Sequence, residues 1–268
     1  MEKAFTSFLL TSLLLHYVMA SSAMTKTNIT TDQLALFTLK SQIISDPFHF
    51  LDESWSFAMS VCHWVEVTCG SHHQRVKSLN LNFNSIEGQI PKVIGNLREL
   101  KLRGNNLIGS IPLSLSNASR LETLDISYNS LQGNIPEEIS NLHNMKVLSI
   151  QDNQLTGIIP QEIENLVNLV ELAMEKNHIT GSVPISIFNI SLLQILSAWE
   201  NNLSGFLPRE ISSLIELEEL RLAFNSFGGS LPMEIFNISG LRVIDLTNNN
   251  LSGSLPPNRG IDKPYFLL

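Results

Sequence analysis

The chain has 268 residues and a formal net charge of −8 at pH 7, with 43% hydrophobic and only 16% charged residues. Nucleic-acid binding needs a basic surface, so this acidic composition argues against that class of partner. The sequence also repeats itself over most of its length, which predicts one repeat domain whatever number of domains the length alone would suggest.

Residues 1–23 have the composition of a secretory signal. Lys3 precedes an apolar run at positions 8–19, and small residues occupy positions 20–23. The run is shorter than the roughly 18 apolar residues that a membrane-spanning helix needs, and no later stretch reaches that length. We therefore predict a cleaved signal and no transmembrane helix in this chain. An uncleaved anchor is the alternative.

Residues 24–75 precede the repeats and are predicted to cap them. Residues 30–33 have the spacing of a helix capping box, and the apolar residues at positions 34–44 suit one helix. Trp55 and Trp64 supply bulk to cover the first coil. We therefore expect a helical N-terminal cap.

The two cysteines, Cys62 and Cys69, both lie in this cap segment. Two cysteines in a secreted chain allow only one internal bridge, which would close a short loop. A redox or zinc role is the alternative, but no second cysteine pair is present to complete such a site. A structural role is favoured.

Residues 76–257 contain eight copies of a unit of about 24 residues, of which residues 121–136 are one example. Every copy has an asparagine, a glycine four residues later and a proline three residues after that. The asparagines are Asn84, Asn105, Asn129, Asn153, Asn177, Asn201, Asn225 and Asn249. Self-similarity of the form L-x-x-L-x-L-x-x-N-x-L predicts a leucine-rich-repeat solenoid in which each copy makes one turn.

Each position of the unit has a structural role. Leu124 and Ile126 alternate with Asp125, so both apolar side chains point inward from a short strand, and strands of successive coils stack in parallel. The asparagine can pair buried backbone donors and acceptors, the glycine permits close backbone approach, and the proline enforces a bend. One coil cannot bury its apolar face alone, so its neighbours stabilise it.

The repeat is irregular at both ends. Asn84 and Asn105 are 21 residues apart because one L-x-x triplet is missing, which predicts a tightened convex side, a kink or a defective coil. After Pro256 the pattern stops, and residues 258–268 contain neither a strand motif nor a second cysteine pair. We expect an uncapped last coil, as in a truncated chain or gene fragment. Residues 265–268 folding back as a lid are the alternative.

The repeat with its G-x-I-P ending, as in residues 148–160, resembles the extracellular leucine-rich repeat of plant receptors. The resemblance covers about residues 30–257. It implies the α/β class: a right-handed superhelix or horseshoe with a parallel β-sheet on its concave face. Cys62 and Cys69 stand in a segment that resembles the C-x-W-x-G-V-x-C element of the family's cap, in which the two cysteines are disulfide-bonded. Glu66 departs from that element because the family has glycine there.

A ligand-binding surface is predicted on the concave face. Positions six, four, two and one before each asparagine should face that side, and exposed aromatic residues beside charges suit a peptide or protein interface. The candidate contacts are Glu171, Glu175, Trp199, Glu200, Glu219, Arg221 and Phe224. Trp199 and Phe224 are the predicted anchors, and the glutamates favour a partner with basic groups. A merely solvated strand face is the alternative.

Six N-x-S/T sequons predict N-glycosylation, although some can arise by chance from a repeat rich in Asn and Ser. They begin at Asn28, Asn117, Asn189, Asn202, Asn237 and Asn250. Asn202 and Asn250 directly follow the asparagine of their repeat and are therefore predicted to be less accessible.

Nothing in the sequence indicates catalysis, a metal site or a cofactor. The histidines are scattered, and His72-His73 lacks the spacing of metal ligands. No G-x-S-x-G, P-loop or H-E-x-x-H motif is present. We expect a protein that is not an enzyme.

By resemblance, the expected function is extracellular recognition of a peptide or protein, as in ectodomains of plant leucine-rich-repeat receptor kinases of the immune type. A co-receptor ectodomain is a second possible partner, and the place of action is the cell wall space or the outer surface of the plasma membrane. A secreted inhibitor of a cell-wall-degrading glycosidase, which would block an active site with its concave face, is the alternative, as is a non-functional fragment.

Overall fold

The computed structural model describes residues 29–71, 75–91 and 97–254, and the backbone of Tyr265–Leu267. The predicted signal, the sequon at Asn28 and the pair His72-His73 lie outside the described residues. Within them the chain forms the predicted solenoid, in which each coil stacks on the next along one apolar core.

A ten-stranded sheet lines the concave face. Its strands are Val67–Cys69, Val76–Asn80, Glu99–Lys101, Thr123–Asp125, Val147–Ser149, Glu171–Ala173, Ile195–Ser197, Glu219–Arg221, Val243–Asp245 and Tyr265–Leu267. The first pair is antiparallel and all the others are parallel. Leu124 pairs in register with Leu148, and both are fully buried, so the alternation in the sequence places the same apolar column in every coil.

A second parallel sheet, which the sequence reasoning missed, follows the asparagine of each repeat. Its strands are Glu87–Gln89, Asn106–Gly109, Ser130–Asn134, Gln154–Thr156, Thr180–Gly181, Asn202–Phe206, Ser226–Ser230 and Asn250–Ser252. They form two sections that meet at an isolated bridge between Ile158 and Thr180. The signal was the alternation of polar Ser130 and Gln132 with buried Leu131, between the asparagine and the glycine of the repeat.

The return side of the solenoid is built from short 3-10 helices. They span Leu113–Asn117, Glu137–Asn141, Gln161–Asn165, Ile185–Asn189, Arg209–Ser213 and Met233–Asn237. Each begins directly after the repeat proline: the backbone N–H of Ile139, for example, donates to Pro136 O (3.1 Å). Since proline fixes its own φ and has no N–H to satisfy, it is well suited to the position before the first helical residue.

The asparagines form a hydrogen-bonded ladder along the core. Nδ2 of Asn153 donates to Ile150 O in its own coil and to Ile126 O in the preceding coil, both at 3.1 Å. Its Oδ1 accepts the N–H of Leu131 at 3.0 Å. One side chain therefore pairs backbone groups from two coils, which would otherwise be buried without partners.

The N-terminal cap differs from its prediction in two respects. Its helix spans Ile29–Gln42 and stops before Ile43, because Ile43–Ser45 instead pairs antiparallel with Glu87–Gln89 and extends the second sheet. The predicted capping box is also wrong: Thr30 already lies inside the helix, and Gln33 Nε2 donates to Met59 O at 3.3 Å. A second helix, Phe50–Ser54, and a 3-10 turn, Val61–His63, complete the cap.

An aromatic stack and a disulfide hold the cap over the first coil. The rings of Trp55 and Trp64 are stacked with centroids 5.1 Å apart, and each residue is 2% exposed. Cys62 and Cys69 are disulfide-bonded, with their Cα atoms 5.5 Å apart. Glu66, between them, has a φ of 64°, which lies in the left-handed region. This conformation is the physical reason why a glycine suits that position.

The two irregular ends are accommodated without loss of register. Glu99 pairs with Ser78 on one side and with Thr123 on the other, so the concave sheet runs through the shortened first coil. Residues 92–96, where any tightening of the convex side would fall, lie outside the described residues. The expectation of no strand after the repeats is wrong, because Tyr265–Leu267 pairs in parallel with Val243–Asp245.

Candidate ligand-binding face

The concave strands present three rows of side chains, at positions six, four and two before each asparagine. In the fourth to sixth coils the middle row consists of Ser149, Ala173 and Ser197, which are only 4% to 5% exposed. These small side chains form a low floor between the two outer rows. Glu171 and Glu175 stand on either side of Ala173 in the same coil, since residues two apart on a strand share a face.

The position directly before each asparagine does not continue the strand. Lys176, Glu200 and Phe224 there have φ values of 53°, 56° and 53°, in the left-handed region. They lie where the chain leaves the concave sheet, and all three are exposed. Glu200 and Phe224 are therefore placed at the edge of the face, whereas Glu171, Glu175 and Glu219 are placed on it.

Trp199 lies half-buried in the row two before the asparagine and contacts a neighbouring cation. Nζ of Lys176 is 5.1 Å from the centre of the Trp199 ring and 3.7 Å from Oδ2 of Asp152. The ring of Phe224 is 52% exposed. A ligand could thus reach both predicted aromatic anchors, and the Lys176 ammonium occupies one face of the tryptophan.

A second aromatic cluster, which the sequence reasoning missed, lies toward the N-terminal coils. The guanidinium carbon of Arg103 is 4.4 Å from the ring centre of Tyr128 and 5.8 Å from that of Phe83. Both rings occupy the position before the repeat asparagine, and Gly104 fills that position in the coil between them. The sequence signal for this cluster was an aromatic residue that recurs directly before the repeat asparagine, the position that Phe224 also occupies.

The acidic residues of the face divide into paired and unpaired groups. Glu219 binds Arg221 at 2.9 Å, and Asp152 binds Lys176. No basic side chain in the described part of the chain lies within ion-pair distance of Glu171 or Glu175. Arg221, predicted as a ligand contact, neutralises Glu219 within its own strand.

Glu171 has an unfavourable electrostatic environment. Its pKa is raised above the ordinary glutamate value, first by burial and then by the negative charges of Glu175, Asp125 and Glu219. Burial removes water from the carboxylate, and like charges oppose its ionisation. The free protein therefore has an excess of negative charge at this point of the concave face.

The five sequons within the described residues lie away from the concave sheet. Asn117, Asn189 and Asn237 are the last residues of 3-10 helices, whereas Asn202 and Asn250 begin strands of the second sheet. All five asparagines are exposed, including the two that are predicted to be less accessible. The alternation of the strand turns each of those two side chains outward, although its neighbour in the ladder points inward.

A large open cavity lies elsewhere, along the side of the first to fourth coils. It has a volume of about 1030 Å³ and is lined by the repeated proline segments, including Pro112, Leu113, Pro136 and Ile158. In the described residues no group of His, Cys, Asp and Glu side chains is arranged to bind a metal ion. None of the helices there combines the length and apolar character needed to cross a bilayer.

These features define an extracellular-type leucine-rich-repeat solenoid with an N-terminal cap. The chain belongs to the leucine-rich-repeat family: its sequence matches the family's repeats at residues 119–179, and at residues 75–97, 96–118, 216–238 and 240–258. Together these matches span more than half of the chain.

The curated relatives include plant receptors. The chain is 37% identical over 95 residues to the LRR receptor-like serine/threonine-protein kinase EFR of Arabidopsis thaliana, a match that spans 34% of this chain and 9% of the receptor. It is also 30% identical over 132 residues to the polygalacturonase inhibitor of Pyrus communis, spanning 48% of this chain and 39% of the inhibitor. The match thus represents a small part of the receptor and less than half of the inhibitor.

Solved structures of plant receptor ectodomains share the fold. The PEPR1–AtPEP1 complex matches with a TM-score of 0.78 and 32% identity, covering 82% of this chain and 32% of that chain. The complex of the Arabidopsis receptor kinase HAESA with the peptide hormone IDA and the co-receptor SERK1 matches with a TM-score of 0.59 and 28% identity, covering 84% and 47%.

Proposed function

We propose that this chain recognises an extracellular peptide or protein ligand on its concave face, as the recognition module of a plant receptor-like protein or receptor kinase in signalling or defence. The observation that carries the proposal is a face that combines accessible aromatic rings at Trp199 and Phe224 with two glutamates that lack cation partners in the described chain. Recognition of this kind makes and breaks no covalent bond, so the protein acts as a binder and not as an enzyme.

The proposed contacts are those that the sequence singled out, with their roles sorted by position. Trp199 and Phe224 anchor the ligand through apolar area, and Glu171, Glu175 and Glu200 attract its basic groups. Glu219 and Arg221 form an ion pair at 2.9 Å and supply one donor and one acceptor side by side. A co-receptor ectodomain, as named in the HAESA complex, is a proposed second partner at the edge of the face.

The proposed organisation of the chain is that of a secreted repeat protein with four segments. Residues 1–23 are a signal, 24–75 the cap, 76–257 the repeats and 258–268 a tail, and the protein acts in the cell wall space or at the plasma membrane surface. Glycans on Asn117, Asn189, Asn202, Asn237 and Asn250 would all leave the concave sheet uncovered. This distribution supports binding at that sheet, since a glycan is bulky and excludes neighbours.

Panning tests the proposal. The full chain, secreted from plant cells, is immobilised and panned against a random peptide library, and enriched peptides are titrated against wild type and Trp199→Ala. We expect enriched peptides whose affinity falls at least about tenfold in Trp199→Ala, the usual loss at an aromatic hot spot. Ile185→Ala, which removes a 60% exposed side chain from a 3-10 helix, is the matched control and should change nothing. Enrichment of peptides that bind both variants equally would contradict the proposal.

Inhibition of a cell-wall-degrading glycosidase is the second candidate, and the match to the pear polygalacturonase inhibitor over 48% of this chain favours it. The mechanism would be steric: the concave face would cover the mouth of the enzyme's active site. A polygalacturonase assay with increasing amounts of the secreted chain tests this directly. Unchanged hydrolysis rates at a large molar excess of the chain would eliminate this candidate.

A further inference from the structure

Gln151 and Glu175 lie side by side on the concave face and carry buried oxygens without partners. The neighbours of Gln151 in its own coil fix this placement, since Ile150 N donates to Ala173 O at 2.8 Å and Asp152 N to Glu175 O at 2.9 Å. Gln151 is 9% exposed, yet its Oε1 has no hydrogen-bond partner in the described structure. Oε2 of Glu175 is likewise buried and unpartnered there.

Buried acceptors without donors are rare in folded proteins because each one forfeits its bonds to water. Gln151 and Glu175, in adjacent coils, each carry one such acceptor, and Glu171 beside them carries a third. Together these acceptors form a local set that lacks donors and positive charge. The Asn153 ladder does not serve them, because its Nδ2 is already shared among backbone carbonyls, including Gln151 O at 3.2 Å. Lys176, the nearest cation along the chain, is held by Asp152 and Trp199.

The shape of the face at this point suits a long side chain. Ser149, Ala173 and Ser197 form the floor, so nothing larger than a hydroxymethyl group rises between the two outer rows. Glu171 begins the strand Glu171–Ala173 and Glu175 follows its end by two residues, so their Cα atoms are at most about 13 Å apart, and the charge of Glu175 acts on the Glu171 carboxylate. A planar group with donors on several sides can reach both carboxylates and the amide oxygen.

We propose that Gln151, Glu171 and Glu175 form a subsite for one cationic side chain of the ligand, preferably the guanidinium of an arginine. This inference rests on the proposed ligand-binding function and names the chemistry of one ligand residue. The guanidinium has five N–H donors in a rigid plane, which matches a set of carboxylate and amide acceptors better than an ammonium does. Trp199 in the next coil flanks the subsite and can contact the aliphatic part of the same side chain.

The charge of the site supports this assignment. The pKa of Glu171 is raised in the free protein by burial and by Glu175, so the two carboxylates repel each other. A bound cation between them reverses that repulsion, and the attraction is strong because the site is partly shielded from water. Distant surface charges should therefore add little to the salt dependence of the ligand affinity. The affinity should fall when the pH is low enough to protonate Glu171.

The test is a double-mutant cycle on enriched peptides from the panning. In each peptide the arginines are replaced singly by citrulline, which keeps the shape of the side chain but removes its charge and exchanges one terminal NH2 donor group for a carbonyl oxygen. Each peptide is titrated against wild type and against Glu171→Gln/Glu175→Gln. We expect one arginine whose replacement weakens binding to wild type by about tenfold but to the double variant by less than about twofold.

Control variants separate this subsite from general electrostatics. Glu137→Gln/Glu216→Gln removes two exposed carboxylates outside the concave sheet and should leave the tenfold effect intact. Removing the repelling charges of Glu171 and Glu175 should not impair folding, and a thermal melt of the double variant verifies this.

Each outcome has a distinct meaning. Concave-face peptides without a required cation, or citrulline losses that are equal in both proteins, would overturn the subsite and leave the proposed function standing. Absence of any peptide that depends on Trp199 would overturn both.

Discussion

Asp32 and Arg75, 43 residues apart in sequence, form a bidentate ion pair that joins the cap helix to the first coil. Nε of Arg75 donates to Oδ2 of Asp32 at 2.5 Å and Nη2 donates to Oδ1 at 2.6 Å. Oδ2 also accepts the backbone N–H of Val76 at 3.0 Å, and Asp32 is 2% exposed. The cap therefore depends on one buried carboxylate that satisfies three donors.

Replacing that carboxylate should loosen the cap. Asp32→Ala leaves a largely buried guanidinium and a buried N–H without acceptors, so we expect a loss of roughly 3 kcal/mol in unfolding free energy. Urea unfolding followed by the fluorescence of buried Trp55 and Trp64 measures it. Asp52→Ala is the control: its carboxylate is 65% exposed beside Lys40, so the loss should be below about 1 kcal/mol. Equal losses in both variants would contradict this account of the cap.

Glu66 should be replaceable by glycine with a gain in stability. Its φ of 64° costs a residue with a Cβ about 1 kcal/mol, a cost that glycine avoids. We expect Glu66→Gly to raise the melting temperature of the cap, measured by the same tryptophan signal. Glu137→Gly provides the contrast, because Glu137 lies in a 3-10 helix and is not among the residues with positive φ. It should be neutral or destabilising, and a gain there as large as at Glu66 would refute the conformational explanation.

The asparagine ladder should be more important for stability than asparagine hydrogen bonds at the surface. Asn153→Ala removes the acceptor for Leu131 N and the donor for two core carbonyls, so we expect a loss of about 2–4 kcal/mol. Asn144→Ala also removes a hydrogen bond, to Ser119 O at 2.7 Å, but at an exposed site. Water replaces that partner, and the expected loss is below about 1 kcal/mol. The losses in unfolding free energy of the two variants are compared from their denaturant midpoints at equal denaturant slope.

Two glutamates should give opposite pH dependences of stability. The pKa of Glu171 is raised, chiefly by burial, so the folded state holds this proton more tightly than the unfolded state does. Its stabilising contribution is present at acidic pH and is lost as the pH rises through the raised pKa. We expect Glu171→Gln to melt at a higher temperature than wild type at neutral pH, with the difference disappearing on acidification.

Glu122 is the opposite case and serves as the comparison. Its pKa is lowered, first by its hydrogen bond from Lys146 and also by Arg98. The stabilisation is therefore present above the ordinary glutamate pKa and is lost as the pH falls through the lowered value. Glu122→Gln should melt below wild type at neutral pH by a small margin, since both cations are more than half exposed. If both variants shift the melting temperature at neutral pH in the same direction relative to wild type, these assignments are contradicted.

The solenoid and its periodic parts follow from the sequence alone. The spacing of Leu124 and Ile126 required a strand with one apolar face, and the recurring asparagine required a buried turn with backbone groups to pair. Both patterns are local and recur in every coil, so they can be interpreted without information on distant contacts. The departure at Glu66 was visible in the same way, although only the backbone showed that its cause is a left-handed conformation.

Tertiary structure alone decided which side chains on the concave face remain unpaired. Glu171, Glu175 and Glu219 look equivalent in the sequence, but Arg221 neutralises only Glu219, and no described cation reaches the other two. Three other features also depend on segments that are far apart in the chain or in different coils. They are the burial of Gln151, the pairing of Asp32 with Arg75, and the strand at Tyr265–Leu267. A repeat predicts what all coils share, whereas a binding site arises from what differs between neighbouring coils once they are stacked.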